Sequence, residues 1–232
     1  MSASKFALLI VCICVLAMGQ TCIPEDQSSG QNPHKLVSAS VATGNTVQLV
    51  INEIMQNPSA VSDSNGEWFE LYNPTASTVD IDGWTIQDNG SDNHVINNGG
   101  PLLVPAGGYL VLGINGDPAT NGGVIVDYVY PTNFYLGNSS DELILLTGDL
   151  TEVDRVEWDN GATFPDPTGA AMALMDPALD NNIGANWCEA STPFGDGDLG
   201  TPGAANDCVS DIPQLVINEI MQNPAAVYDS NG

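Results

Sequence analysis

From residue 47 onward, apolar and polar positions fall into short runs with a period of two or with clustered β-branched residues. The runs are 47–55, 67–72, 79–87, 109–114, 124–130, 142–147, 153–158 and 171–175. VDIDGWTIQ at 79–87 shows the alternation most plainly, and a period of two sends successive side chains to opposite faces of a strand. Turn chemistry separates the runs: Asn-Gly pairs begin at Asn65, Asn89, Asn98, Asn115, Asn121 and Asn160, and prolines break the chain at Pro101, Pro105, Pro131, Pro165 and Pro167. No stretch repeats its apolar residues every 3.6 positions, and the frequent Gly and Pro oppose long helices. About eight short strands at this spacing predict an all-β antiparallel sandwich. Its expected core is Ile51, Ile54, Phe69, Leu71, Ile81, Trp84, Ile86, Leu110, Leu112, Leu143, Leu145, Val156 and Trp158.

A long-range repeat sets the organisation. Residues 49–66 read LVINEIMQNPSAVSDSNG and residues 215–232 read LVINEIMQNPAAVYDSNG, identical at sixteen of eighteen positions. The offset of 166 residues exceeds the 20–50 of solenoid repeats, so whole domains are expected in series, the second truncated. The expected division is a signal peptide at 1–19, a flexible linker at 20–46, one domain at 47–208, a linker at 209–214 and the start of a second copy at 215–232.

The first segment reads as an address. Lys5 precedes a 13-residue apolar run, FALLIVCICVLAM, and Ala17-Met18-Gly19 offers small residues around a cleavage point. That run is shorter than the roughly 20 residues that span a bilayer, so secretion or cell-surface display is expected, with no membrane span after signal removal. Cys22, Cys188 and Cys208 remain after cleavage, and an oxidising compartment favours a Cys188–Cys208 disulfide around a Gly-, Pro- and Asp-rich loop. Cys22 is the odd cysteine, in a polar tail, either free or paired with another chain.

Charge narrows the partners. Three Lys and Arg stand against 29 Asp and Glu, a formal net charge of −26, so electrostatic binding of nucleic acid by this domain is not expected. A hydrophobic content of 43% argues for folding rather than disorder.

The order NEIMQNP, SNGEWFELYNPT, VDIDGWTIQD, VPAGGYLVL, DELILLTG and GDGDLGTPGAAN, over residues 49–207, resembles a lamin tail domain of the kind found in bacterial secreted proteins. The resemblance implies an immunoglobulin-like β-sandwich. It also implies a non-catalytic module, often repeated or attached to secreted hydrolases and surface proteins. Nuclear relatives carry a coiled-coil rod, and no heptads occur here.

Candidate chemistry is sparse. His94 has neither a G-x-S-x-G elbow nor an H-E-x-x-H pair to act with, and reads as a turn or strand-end residue. Asp80 with Asp82, and Glu67 with Glu70, read as solvent-facing charges; no catalytic residue is assigned. Asp63, Asn65 and Glu67, together with Asp196 and Asp198, offer hard oxygen ligands for Ca2+ in expected loops, though the same residues serve ordinary turns. Tyr128, Tyr130, Phe134 and Tyr135 form an aromatic cluster that reads either as core and rim packing, the commoner outcome of Tyr-Val alternation in a strand, or as a surface that stacks on a carbohydrate or anchors a partner.

The expected function is a non-catalytic secreted or surface module contacting an extracellular protein, a carbohydrate or a surface, with tandem sister domains in the same chain. Two alternatives are an accessory domain of a secreted nuclease or phosphatase whose catalytic part lies beyond residue 232, and a calcium-stabilised adhesion module.

Overall fold

The structure, a computed structural model, describes residues 48–208. The expected signal segment, the linker with Cys22 and the second copy at 215–232 lie outside the described residues. Two packed sheets form a predominantly antiparallel, immunoglobulin-like β-sandwich, as the strand pattern predicts.

The larger sheet has six strands. In spatial order they are β12 (Trp187–Glu189), β11 (Met172–Leu174), β1 (Val50–Met55), β2 (Trp68–Tyr72), β7 (Tyr109–Gly113) and β8 (Tyr128–Val129), with only β7–β8 parallel among its pairs. The facing sheet runs β10 (Glu152–Asp159), β9 (Ser140–Leu146), β4 (Thr85–Gln87) and β5 (Asn93–Val95). A small ribbon of β3 (Val79–Asp80) and β6 (Leu103–Val104) completes the strands, and one helical turn, α1 (Asp63–Gly66), leads into β2.

Every residue of the expected core is buried in one cluster between the sheets. Ile51, Ile54, Phe69 and Leu71 meet Ile86, Leu143, Leu145 and Val156 from the opposite side. Ile51 and Ile54 are three apart, so an unbroken period of two would send them to opposite faces. A bulge between Ile51 and Glu53 adds the extra residue that turns both inward.

The pattern differs from the sequence reading in five places, and in the run 124–130 only Tyr128–Val129 pairs as a strand. The run 79–87 is two strands, because Gly83 adopts a positive φ of 81° and Trp84 N–H closes a turn onto the Ile81 carbonyl. Three short strands, β5, β6 and β12, escape the pattern because two or three residues are too few to show a period.

The outer face of the six-stranded sheet is covered. Met55, Trp68, Val111, Ala171, Ala173 and Ala190 form a second apolar cluster, with Phe194, Cys188 and Cys208 packed on it. Residues 190–208 act as a strap over this face. Cys188 and Cys208 are joined by a disulfide across 20 residues of sequence, with their Cα atoms 6.0 Å apart. The strap lies so close to the 122–123 loop that a Cβ on Gly195 would sit 1.8 Å from the Gly122 carbonyl oxygen; only glycine fits there.

Candidate functional site

Beneath the strap lies a polar layer in an otherwise apolar sheet. Glu53 on β1 and Glu70 on β2 are cross-strand partners, and both are fully buried. Glu53 accepts the Thr201 N–H at 2.9 Å and the Thr201 hydroxyl at 3.1 Å. Glu70 accepts the Asn52 side-chain amide at 2.9 Å and the backbone N–H of Gly203. Asn206 completes the layer, donating to the carbonyls of Asn52 at 2.9 Å and Leu174 at 2.8 Å. Strands and strap are thus joined by carboxylates whose partners are all neutral.

Burial sets the ionisation of these groups. Desolvation pushes Glu53 up to about 7 and Glu70 up to about 8. The hydrogen bonds named above pull both down in part, and the neighbouring Glu53 charge adds to the rise at Glu70. Arg155, the one Lys or Arg in residues 48–208, is paired at the surface with Glu152 at 2.9 Å and with Glu157, so it does not reach the buried layer.

Glu67, expected at the surface with Glu70, is also buried: it follows α1 and accepts the Leu136 N–H at 3.0 Å. Desolvation, reinforced by Asp63, Asp141 and Asp92, pushes it up to about 8. The reading of Glu67 and Glu70 as solvent-facing is therefore corrected: a strand covered on both faces buries both sets of alternate residues. Asp80 and Asp82 are exposed.

Of the calcium candidates, the carboxylates of Glu67 and Asp198 accept backbone N–H groups and the side chains of the others do not. Both carboxylate oxygens of Asp198 receive the N–H groups of Ser59 and Ala60 at 3.0–3.2 Å, tying the strap to the loop after β1. Asp63 accepts the Asn138 amide at 2.9 Å, Asn65 turns to the Ser62 hydroxyl at 3.3 Å, and Asp196 is exposed. Among the described residues no three of His, Cys, Asp and Glu are arranged to hold a metal ion.

The aromatic cluster is corrected in part. Tyr128, Tyr130 and Phe134 are buried, and only Tyr135 is exposed, at 52%. The Tyr130 hydroxyl donates to the Glu67 carbonyl at 3.2 Å, and its ring packs on Phe69 and Phe134. Tyr128 lies 2.7 Å from His94 Nε2 and accepts the Asn97 N–H at 3.0 Å, fastening the edges of the two sheets together. Burial holds His94 below the usual imidazole range. The alternation at 124–130 therefore sends Val124, Tyr128 and Tyr130 into the interior and leaves Ile125 and Val129 exposed.

A cleft of about 650 Å³ lies elsewhere, between residues 75–80, the edge of Trp84 and the 147–149 turn. Hydroxyls of Thr75, Ser77, Thr78 and Thr147 line it with the carboxylates of Asp80 and Asp149. No sequence motif marks it, because its walls come from three separated segments that only the fold brings together.

The Lamin Tail Domain family profile matches residues 42–160, and the chain belongs to this family of non-catalytic, immunoglobulin-like domains. Comparison with curated proteins returned no match. The profile takes in β1 through β10, whereas β11, β12 and the strap lie past its end and still complete the sheet and its outer face.

Proposed function

We propose that the chain is a secreted or surface-held, non-catalytic contact module, and that the 75–80/147–149 cleft is where it meets a hydroxyl-rich ligand of the carbohydrate class. The cleft carries the reading: its volume suits a small ligand, and its lining is rich in acceptors. Two carboxylates among hydroxyls repel anions and accept hydrogen bonds from sugar hydroxyls. In the cleft one oxygen of Asp80 accepts the Asp82 and Leu102 N–H groups, and one of Asp149 accepts the Thr147 hydroxyl and the Thr151 N–H, so the second oxygen of each carboxylate is the acceptor offered to a ligand. The buried carboxylates hold the strap. Further copies of the unit in one chain would raise weak binding through avidity.

A glycan array probed with the full chain tests this reading. Binding to a defined set of neutral glycans is expected, and Thr78→Arg, at an exposed position in the cleft, should abolish it while leaving the melting temperature unchanged. Retained binding by Thr78→Arg would place the contact elsewhere.

A further inference from the structure

Six Asn-Gly pairs lie within the described residues, at Asn65, Asn89, Asn98, Asn115, Asn121 and Asn160. Such a pair is both a turn signal and a chemical liability. Glycine leaves the backbone nitrogen after the asparagine unshielded, so that nitrogen can close a succinimide ring on the asparagine side-chain carbon. Closure needs two freedoms: the side chain must swing over the following peptide group, and the N–H there must be free to give up its proton. A hydrogen bond at either place opposes it.

The fold withholds one or both freedoms at five of the six. At Asn65 the Gly66 N–H donates to the Ser62 carbonyl at 2.9 Å, and the side-chain amide reaches the Ser62 hydroxyl. At Asn89 the Gly90 N–H donates to the Asp88 carboxylate at 2.8 Å. At Asn98 the side-chain amide donates to the Gly100 and Pro101 carbonyls, and the Gly99 N–H donates to the Asn97 side chain. Asn115 is held at both ends of its side chain, by the Asp117 N–H and the Thr120 hydroxyl, each at 3.0 Å. Asn121 is buried, and its side chain makes four hydrogen bonds to the backbone.

Asn160 differs. It is exposed, and it stands with Gly161 at the two central positions of the turn after β10, with φ of 59° and 74°. That turn is fastened without it: the Ala162 N–H donates to the Asp159 carbonyl at 3.4 Å, and the Asp159 carboxylate accepts the Thr163 and Phe164 N–H groups at 3.0 and 3.1 Å. Among the described residues, neither the Asn160 side chain nor the Gly161 N–H has a hydrogen-bond partner.

We propose that Asn160 is a site of spontaneous covalent modification, the one Asn-Gly pair of these six that the fold leaves open to succinimide formation and hydrolysis. The Gly161 nitrogen loses its proton to solvent base and bonds to the Asn160 side-chain carbon. The bond from that carbon to the amide nitrogen breaks, and the nitrogen takes up a proton and leaves as ammonia. Water then opens the ring, so the net change is one water consumed and one ammonia released, with nothing oxidised or reduced. Opening at the side-chain carbonyl gives aspartate, which tolerates the left-handed backbone and adds one negative charge to a formal −26. Opening at the backbone carbonyl gives isoaspartate, which lengthens the main chain between Asp159 and the N–H groups its carboxylate holds.

Peptide mass mapping of the full chain, incubated folded and in concentrated urea in the same mildly alkaline buffer, tests this. In the folded chain the peptide carrying Asn160 should convert several-fold faster than those carrying the other five, and in urea the six should converge. Asp88→Ala removes the acceptor of the Gly90 N–H, so it should raise the folded rate at Asn89 alone among the five. The proposal is overturned if another of the six converts first in the folded chain, or if Asn160 stays unconverted over the time in which the unfolded chain reacts. It is equally overturned if Asp88→Ala leaves Asn89 as slow as before.

Discussion

Glu53 and Glu70 stand opposite each other on neighbouring strands with no cation beside them, an arrangement that would repel if both were charged. Their folded values, about 7 and about 8, lie above the 4.5 of an ordinary glutamate, as does the value of about 8 at Glu67. The folded protein therefore keeps protons that the unfolded chain has released. The stability from this source is full below about pH 4.5 and is lost as pH rises through about 7 to 8. Thermal melts from about pH 5 to about pH 9 should show a falling midpoint. Glu53→Gln keeps an acceptor for Thr201 N–H and removes one titrating group, so it should flatten the fall and stabilise the alkaline form by roughly 2 kcal/mol. A slope unchanged by Glu53→Gln would assign the pH dependence to other groups. The polar pair Asn52-Glu53 was visible as an interruption in an apolar strand. Its burial was not, since alternation reports which residues share a face and cannot say that a strap covers the outer one.

At the scale of elements, the strap is the feature that local pattern did not show. Residues 190–208 have Gly, Pro and Asp in abundance and no periodicity, the signature of an exposed loop. They nevertheless cover Trp68, Val111 and Ala173. Their attachments are long-range: Thr201 to Glu53, Gly203 to Glu70, Asp198 to the loop after β1, and the disulfide at the two ends. The cysteine pairing itself was legible, because an oxidising route and two cysteines around a short polar loop leave few partners. Closing a loop of this length stabilises by roughly 3 kcal/mol through the entropy of the unfolded chain. Replacing Cys188 and Cys208 together by Ala should lower the denaturation free energy by about that amount, measured by urea unfolding at neutral pH. An unchanged midpoint would show that the carboxylate bonds hold the strap unaided. The strand run 79–87 gives the reverse lesson: its alternation was real, but Gly83 divides it, and a turn glycine inside an alternating run was the signal to read.

For the whole molecule, a formal net charge of −26 means that most charged groups share one sign and repel. Such repulsion acts through solvent and falls within a Debye length of about 10 Å at 0.1 M salt. Raising sodium chloride from about 0.02 M to about 0.5 M should raise the melting temperature, and a midpoint that falls with salt would show that favourable surface pairs outweigh repulsion. The sequence by itself determined the class of fold, the residues of the inter-sheet core and the disulfide. Each depends on local periodicity, on turn residues or on the scarcity of cysteine, all of which are written along the chain. It also carried the order of short motifs by which the lamin tail family was recognised. Only the tertiary structure decided that Glu53, Glu67 and Glu70 are interior, that Tyr128, Tyr130 and Phe134 are packing residues, and that a cleft opens between 75–80 and 147–149. These outcomes depend on which distant segment lies against a given face, and that is settled by the packing of the whole domain, because a side chain's environment comes from neighbours far away in sequence.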